Sequence, residues 1–194
     1  TPEPGWHDIN YNSDFTFFLD KHSMINQVPT YSLVSKNKDK RLLKDNADLK
    51  KKMSEYNLSD FELFKVPNNE GVLLNGWLLK PSNFSEENQY PLLMFQYSGP
   101  GSQQVMNQFS IGNMWWYQML AQNGYIVVCV DGRGTGFRGE EFKKKTYLQL
   151  GKYESDDQIA VAKYFAQQPN IDSTRIGIWG WSYGGYMSSI CLLK

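Results

Sequence analysis

Ser182 stands in the stretch GWSYGGY, residues 180–186, with Gly180 two positions before it and Gly184 and Gly185 just beyond. A serine hydroxyl among glycines is one way to build a nucleophile for acyl transfer, because small neighbours leave the oxygen open to an incoming carbonyl. The pattern G-x-S-x-G alone decides nothing. Chance yields about one match per ten chains of this length and of this glycine and serine content. Serine is also a poor nucleophile until a general base takes its proton and nearby donors receive the developing negative charge. A second chemistry-bearing stretch is QYSGPGSQ, residues 96–103, where Tyr97 offers a phenol. That phenol has two readings: a donor to an alkoxide, or a structural tyrosine closing the end of a strand.

The elements that would carry these groups come in two textures. From Thr1 to about Asn46, FTFFLD, PTYSLV and KRLL are short strand-like runs about a dozen residues apart, the rhythm of an antiparallel array. Such strands leave open edges, so the segment reads as the last part of a larger β domain. NADLKKKMSEYNL follows as a connector, with Asn46 as a helix cap. FELFKV and VLLNGWLL flank the turn PNNEG and predict a hairpin. After Pro91 strands alternate with helices. PLLMFQY, YIVVCV and RIGIW are apolar runs of strand length, MWWYQMLAQNG is a short helix ending at Gly124, and the segment after Ser182 is a helix beginning within YMSSICLL. SDDQIAVAKYFAQQP is expected to open at Ser155, with Gln158 at capping-box spacing and Asp156 and Asp157 at the positive helix end. Ile159, Ala162, Phe165 and Ala166 would form its inward stripe, and Pro169 would stop it. Strands joined by helical crossovers predict an α/β fold with a mostly parallel sheet and flanking helices.

Composition narrows the alternatives. The 194 residues suffice for one domain, or for a domain with part of another. Lys plus Arg and Asp plus Glu balance at 20 each, which removes a global electrostatic argument for nucleic acid or anionic lipid. The lysines from Lys36 to Lys52 alternate with Asp39, Asp45 and Asp48 and read as a solvated face. No run approaches the roughly 18 apolar residues of a membrane span, and the start TPEPGWHDIN is not an export signal. Cys129 and Cys191 lack metal-ligand spacing and read as small buried hydrophobes, so no metal or cofactor is expected.

Context then bears on the serine. A strand, a turn with glycines on both sides and a following helix make the nucleophile elbow of an α/β-hydrolase. In that arrangement the N–H of Tyr183 is one oxyanion donor, and the loop holding Tyr97 lies where the second is needed. The base and its carboxylate should follow the serine in the order Asp or Glu, then His. The 12 residues after Ser182 contain neither, and His7 and His22 lie far upstream, reading as surface or internally satisfied residues. The expectation is a fragment holding the front half of an active site.

GWSYGGY, QYSGPGSQ, VDGRGTGFRGEEF and ESDDQIAVAKYFAQQPNIDSTRIGIWGWSYGG together resemble the prolyl oligopeptidase family of serine peptidases. Upstream, PTYSLVSKNKDKRLLKDNADLKKKM resembles the end of that family's β-propeller and its link to the hydrolase, so the likeness covers nearly the whole chain. The resemblance implies residues 1–46 as propeller end and 47–194 as the front of the catalytic domain. It implies Ser182 as the acylated nucleophile and the Tyr97 hydroxyl with the Tyr183 N–H as oxyanion hole. Trp181 would pack beside the nucleophile, and Tyr183 would help line a small pocket for proline. The implied reaction removes an N-terminal X-Pro or X-Ala dipeptide from a peptide through an acyl-enzyme, in a homodimer working outside the cytoplasm. The family's catalytic Asp and His, the rest of its proline pocket and its amine-anchoring glutamates find no counterpart here, and Asp131 and Arg133 are assigned only a loop-shaping role. A related peptidase of different cut length, an esterase, or a non-catalytic binding module are the competing readings.

Overall fold

The computed structural model describes residues 3–109 and 112–194. The chain divides into two compact units, one holding the residues up to Leu58 with the described part of Met106–Gly112, the other holding Ser59–Val105 and Asn113–Lys194.

The first unit is a four-stranded antiparallel meander of β1 (Trp6–Tyr11), β2 (Phe17–Met24), β3 (Gln27–Ser35) and β4 (Lys40–Lys44), in that spatial order. β1 was not expected, because WHDINY mixes Asp and Asn into the strand. Its in-register pairing from Trp6↔Ser23 to Tyr11↔Phe18 outweighs weak local propensity. Asp20, buried, accepts from His7 Nδ1 at 2.9 and 3.0 Å. His7 and His22 are direct cross-strand partners whose rings stack 4.3 Å apart, and His22 Nε2 lies 2.8 Å from the Pro4 carbonyl. Both histidines are thus internally satisfied, as read from the sequence. Helix α1 (Ala47–Met53) begins after Asn46, but Asn46 does not cap it with its side chain. Its amide donates to Pro29 O at 2.7 Å, and Asp45 Oδ1 accepts the Ala47 N–H instead.

The second unit is an α/β layer whose sheet is built from β5 (Phe61–Pro67), β6 (Leu73–Leu79), β7 (Tyr90–Phe95), β8 (Ile126–Asp131) and β9 (Ile171–Trp179), ordered β5-β6-β8-β7-β9. Helices α2 (Met114–Gln122), α3 (Glu140–Lys144), α4 (Lys152–Ala166) and α5 (Tyr183–Leu193) accompany it. β7 runs parallel to β8 and β9, whereas β5–β6 and β6–β8 are antiparallel, so the sheet is mixed where a mostly parallel one was expected. The physical cause is the predicted hairpin, which joins the same sheet; a short turn can only return the chain antiparallel. β8 is buried at all six positions, between the two faces of the sheet, which is why YIVVCV is apolar without alternation. Leu92, Met94, Val128, Val161, Phe165 and Ile171 meet in one core.

Helix α4 starts earlier than its sequence suggested. Gly151 occupies the N-cap, and Glu154 Oε2 accepts the Gly151 N–H at 3.0 Å; Ser155 lies inside the first turn, its hydroxyl bonded back to Gly151 O at 2.6 Å. The buried stripe is Glu154, Asp157, Gln158, Val161 and Phe165, while Ile159, Ala162 and Ala166 are only partly covered. The first half of the inward face is polar because it meets loops carrying N–H groups and a guanidinium, not the hydrophobic core.

Candidate active site

β7 and β9 are parallel neighbours, paired up to Phe95↔Trp179, and Gln96 N donates to Trp179 O at 3.2 Å. The loops that follow both strands therefore leave the sheet side by side at its C-terminal edge, where open α/β sheets bind ligands. Tyr97 is on one loop and Ser182 on the other.

Ser182 is exposed and takes φ 55°, ψ −116°, a backbone region that costs a residue with a Cβ about 1–3 kcal/mol. It is the N-cap of α5, yet its side chain makes no capping hydrogen bond. A serine at this position ordinarily caps the helix with its oxygen; here the hydroxyl is left for other use. α5 begins at Tyr183, directly after the serine and not within YMSSICLL. Glycines occupy its first turn because the helix presses on the neighbouring loop. A Cβ on Gly184 would lie 2.5 Å from Gln96 O, and one on Gly180 would strike the same oxygen and come 2.7 Å from Gly184. Gly185 is under less pressure, its nearest atom at 3.4 Å. Gln96, fully buried, completes the junction by donating to Gly184 O at 2.6 Å and Ser188 Oγ at 3.0 Å.

As the first helical residue, Tyr183 has a backbone N–H with no acceptor in the preceding turn. Its ring centroid lies 6.4 Å from that of Tyr97. Ser182, Tyr183 and Tyr97 are thus brought together. Trp181, next to the serine, is 80% exposed. Both histidines of the sequence belong to the meander unit.

Buried charges hold the loops around this edge. Asp131, at the end of β8, accepts from Gln104 N at 2.9 Å and Val105 N at 2.8 Å, pinning the loop that follows Tyr97. Burial pushes its carboxyl up to about 6 against the pull of those N–H donors. Arg133 donates through its side chain to Asp157 at 2.7 Å and to Glu70 at 2.8 Å, and stacks over Tyr153 at 4.6 Å. Asp157 also accepts from Arg133 N and from Asn68 Nδ2. These contacts give Asp131 and Arg133 the shape-keeping work read from DGRGTG. Gln96, Glu154 and Asp157 were missed as parts of the site. The available signal was polarity at inward positions: a glutamine closing the apolar run PLLMFQ, and two acids three residues apart on one helix face.

Cys129 and Cys191 are free thiols, and burial pushes the Cys129 thiol up. Among the described residues, Glu3, His7 and His22 are close enough together to share a metal ion. Each already has a partner: Lys40 for the Glu3 carboxylate, Asp20 for His7 and Pro4 O for His22. Among the described residues no helix is long and apolar enough to cross a membrane.

Residues 111–194 match the model of the prolyl oligopeptidase family. The chain is 36% identical over 197 residues to "Probable dipeptidyl-aminopeptidase B" of Emericella nidulans, covering 97% of this chain and 21% of that protein. It is 38% identical over 170 residues to "Probable dipeptidyl peptidase 4" of Aspergillus flavus, covering 86% and 22%. Among solved structures, Porphyromonas gingivalis dipeptidyl peptidase 4 superposes with a TM-score of 0.94 at 41% identity, over 99% of this chain and 27% of that one. The chain thus spans about a fifth of the curated relatives it matches. From the strand-turn-helix that carries Ser182 to the near-complete overlay on a crystallised dipeptidyl peptidase 4, the chain belongs to the prolyl oligopeptidase family of serine peptidases.

Proposed function

We propose that the full-length protein is a serine exopeptidase that releases N-terminal X-Pro or X-Ala dipeptides, with Ser182 as its nucleophile. Ser182 Oγ attacks the carbonyl carbon of the second substrate residue. The proton passes to a general base, the oxyanion is received by the Tyr97 hydroxyl and the Tyr183 N–H, and the C–N bond breaks as the leaving amine takes the proton. Water then hydrolyses the acyl-enzyme and frees Ser182. Trp181 and Tyr183 border the pocket for the proline or alanine side chain. The base and its carboxylate come from outside these 194 residues, in keeping with relatives about five times as long. In this reading residues 1–46 close a β-propeller, residues 47–194 open the hydrolase domain, and the protein works as a homodimer outside the cytoplasm.

The observation that carries the reading is Ser182 itself: an exposed serine in a strained backbone conformation, at a helix N-cap it does not cap, on the same sheet edge as Tyr97. The test is fluorophosphonate labelling of the full-length protein with mapping of the modified residue. Ser182 is expected to carry the label. Ser182→Ala is expected to lose turnover of a Gly-Pro amide by on the order of a millionfold. Modification mapped to another residue, or a Ser182→Ala protein with undiminished turnover, overturns the assignment. Mass analysis of products from X-Pro and X-X-Pro peptides separates dipeptide release from a longer cut.

A further inference from the structure

We infer that Glu154 is a positioning residue for the oxyanion hole, acting through the phenol of Tyr183; this rests on the acyl-transfer reading of Ser182. Glu154 is fully buried at the start of α4 and divides its carboxylate between two tasks. Oε2 accepts the N-cap N–H of Gly151 at 3.0 Å, the ordinary work of an acid in the first turn. Oε1 accepts the Tyr183 hydroxyl at 2.8 Å, 29 residues away in sequence, and capping does not require that bond. The two helix starts are pressed together around it. A Cβ on Gly151 would lie 2.9 Å from the Tyr186 hydroxyl and 3.0 Å from Ile190 Cδ1, both on α5. The Tyr183 ring is set between Tyr97 at 6.4 Å and an edge contact with Tyr186 at 5.6 Å. Burial, helped by the Glu154 bond, raises the phenol above the ordinary tyrosine range, so it remains a donor.

The mechanical consequence concerns the peptide between Ser182 and Tyr183. Its orientation aims the Tyr183 N–H and depends on the Ser182 ψ of −116°, a value that persists only if the surroundings hold it. Tyr183 comes first in its helix, so no earlier turn restrains it. The Glu154 carboxylate supplies a restraint from another helix, joining the phenol end of Tyr183 to a buried group that is itself tied to the Gly151 N–H. The hydroxyl is turned toward Glu154, so its loss should alter the aim of the N–H more than the grip on substrate.

The test uses the full-length protein with a Gly-Pro amide, comparing Glu154→Ala, Glu154→Gln, Tyr183→Phe and the double variant Glu154→Ala/Tyr183→Phe, with thermal melting as a folding check. Glu154→Ala and Tyr183→Phe are each expected to lower kcat by about 10- to 100-fold, the scale of a small misplacement at a reacting centre, with KM changed less than about threefold. The double variant should be no worse than the poorer single one, because both cut the same connection. Glu154→Gln can accept from Gly151 with its carbonyl and donate to the phenol oxygen with its amide, so it should stay within about threefold of wild type. Folded Glu154→Ala or Tyr183→Phe with wild-type kcat, or losses that multiply in the double variant, overturns the inference. Should Glu154→Ala fail to fold, Tyr183→Phe against Glu154→Gln/Tyr183→Phe decides: a further loss from the glutamine overturns it. Fluorophosphonate labelling keeps the two questions apart. Wild type unlabelled at Ser182 defeats the acyl-transfer reading, whereas wild type labelled there with the variants at full kcat defeats only the role of Glu154.

Discussion

The meander unit and the α/β unit both bury carboxylates, but they partner them over very different distances along the chain. In the meander, Asp20 meets His7 from the adjoining strand 13 residues away, and Asn12 and Asp14 tie their own turn at Thr16 and Phe17. In the α/β unit, Arg133 reaches Asp157 and Glu70 across 24 and 63 residues, Asn68 reaches Asp157 across 89, and Gln96 reaches Ser188 across 92. Hairpin neighbours need little loop closure and form readily, yet they unite only residues already near in sequence. Distant partners are entropically costlier to join, and in return they set two strand-end loops and two helix starts against each other. Chemistry-bearing residues converge in the second unit for that reason. The strands repeat the contrast: β4 is exposed at all five positions and β8 is buried at all six.

The contrast can be broken by cutting one contact of each kind. The largest effect is expected from Asp157→Asn, which leaves the buried Arg133 side chain with only the exposed Glu70 as ionic partner. Removing one member of a buried pair costs about 3–5 kcal/mol, read as a lowered urea midpoint with loss of amide protection throughout the α/β unit. A smaller loss than that from Asp20→Asn in the meander would refute the greater dependence on long-range bridges.

Asp131 sharpens the contrast through pH. Burial lifts its carboxyl to about 6 in the folded protein against about 4 in the unfolded chain. The folded state therefore holds the proton more tightly, and the stabilisation is complete below about pH 4 and lost as pH rises through about 6. Asp131→Asn has nothing to titrate there. The stability advantage of wild type over that variant should shrink by about 2 kcal/mol between pH 4 and pH 7 in matched urea titrations. A gap that stays constant with pH would show that the N–H bonds from Gln104 and Val105 cancel the burial.

The smallest effect is expected at Leu42, 57% exposed on β4, where Leu42→Ala should move the midpoint by less than about 0.5 kcal/mol. A loss above about 2 kcal/mol would mean that this face of the meander is packed in solution.

Much of the architecture could be read locally. The apolar runs became β7, β8 and the end of β9, the PNNEG turn became the β5–β6 hairpin, and MWWYQMLAQNG became a helix ended by Gly124. The serine turn was legible because its glycines answer a steric demand one residue at a time. The start of α4 was misread because two capping signals overlap there. Ser155 and Gln158 have the right spacing, but Gly151 and Glu154 take the positions, and the serine turns back to Gly151 O. Local spacing cannot rank the two, since the winner depends on α5 packing against Gly151. The inward stripe was misread for a related reason: apolar periodicity assumes an oily neighbour, and the first half of α4 faces Arg133 and Tyr183 instead.

Dihedral preferences, apolar period and turn chemistry act over a few residues, and they suffice to specify most of the elements, the serine turn and the two textures of the chain. Strand order, the antiparallel entry of the hairpin into the main sheet, and the meeting of Gln96, Glu154 and Asp157 with partners 24 to 92 residues away depend on long-range register. No short window carries that information, because a buried polar group finds its acceptor only after the sheet has brought the loops together.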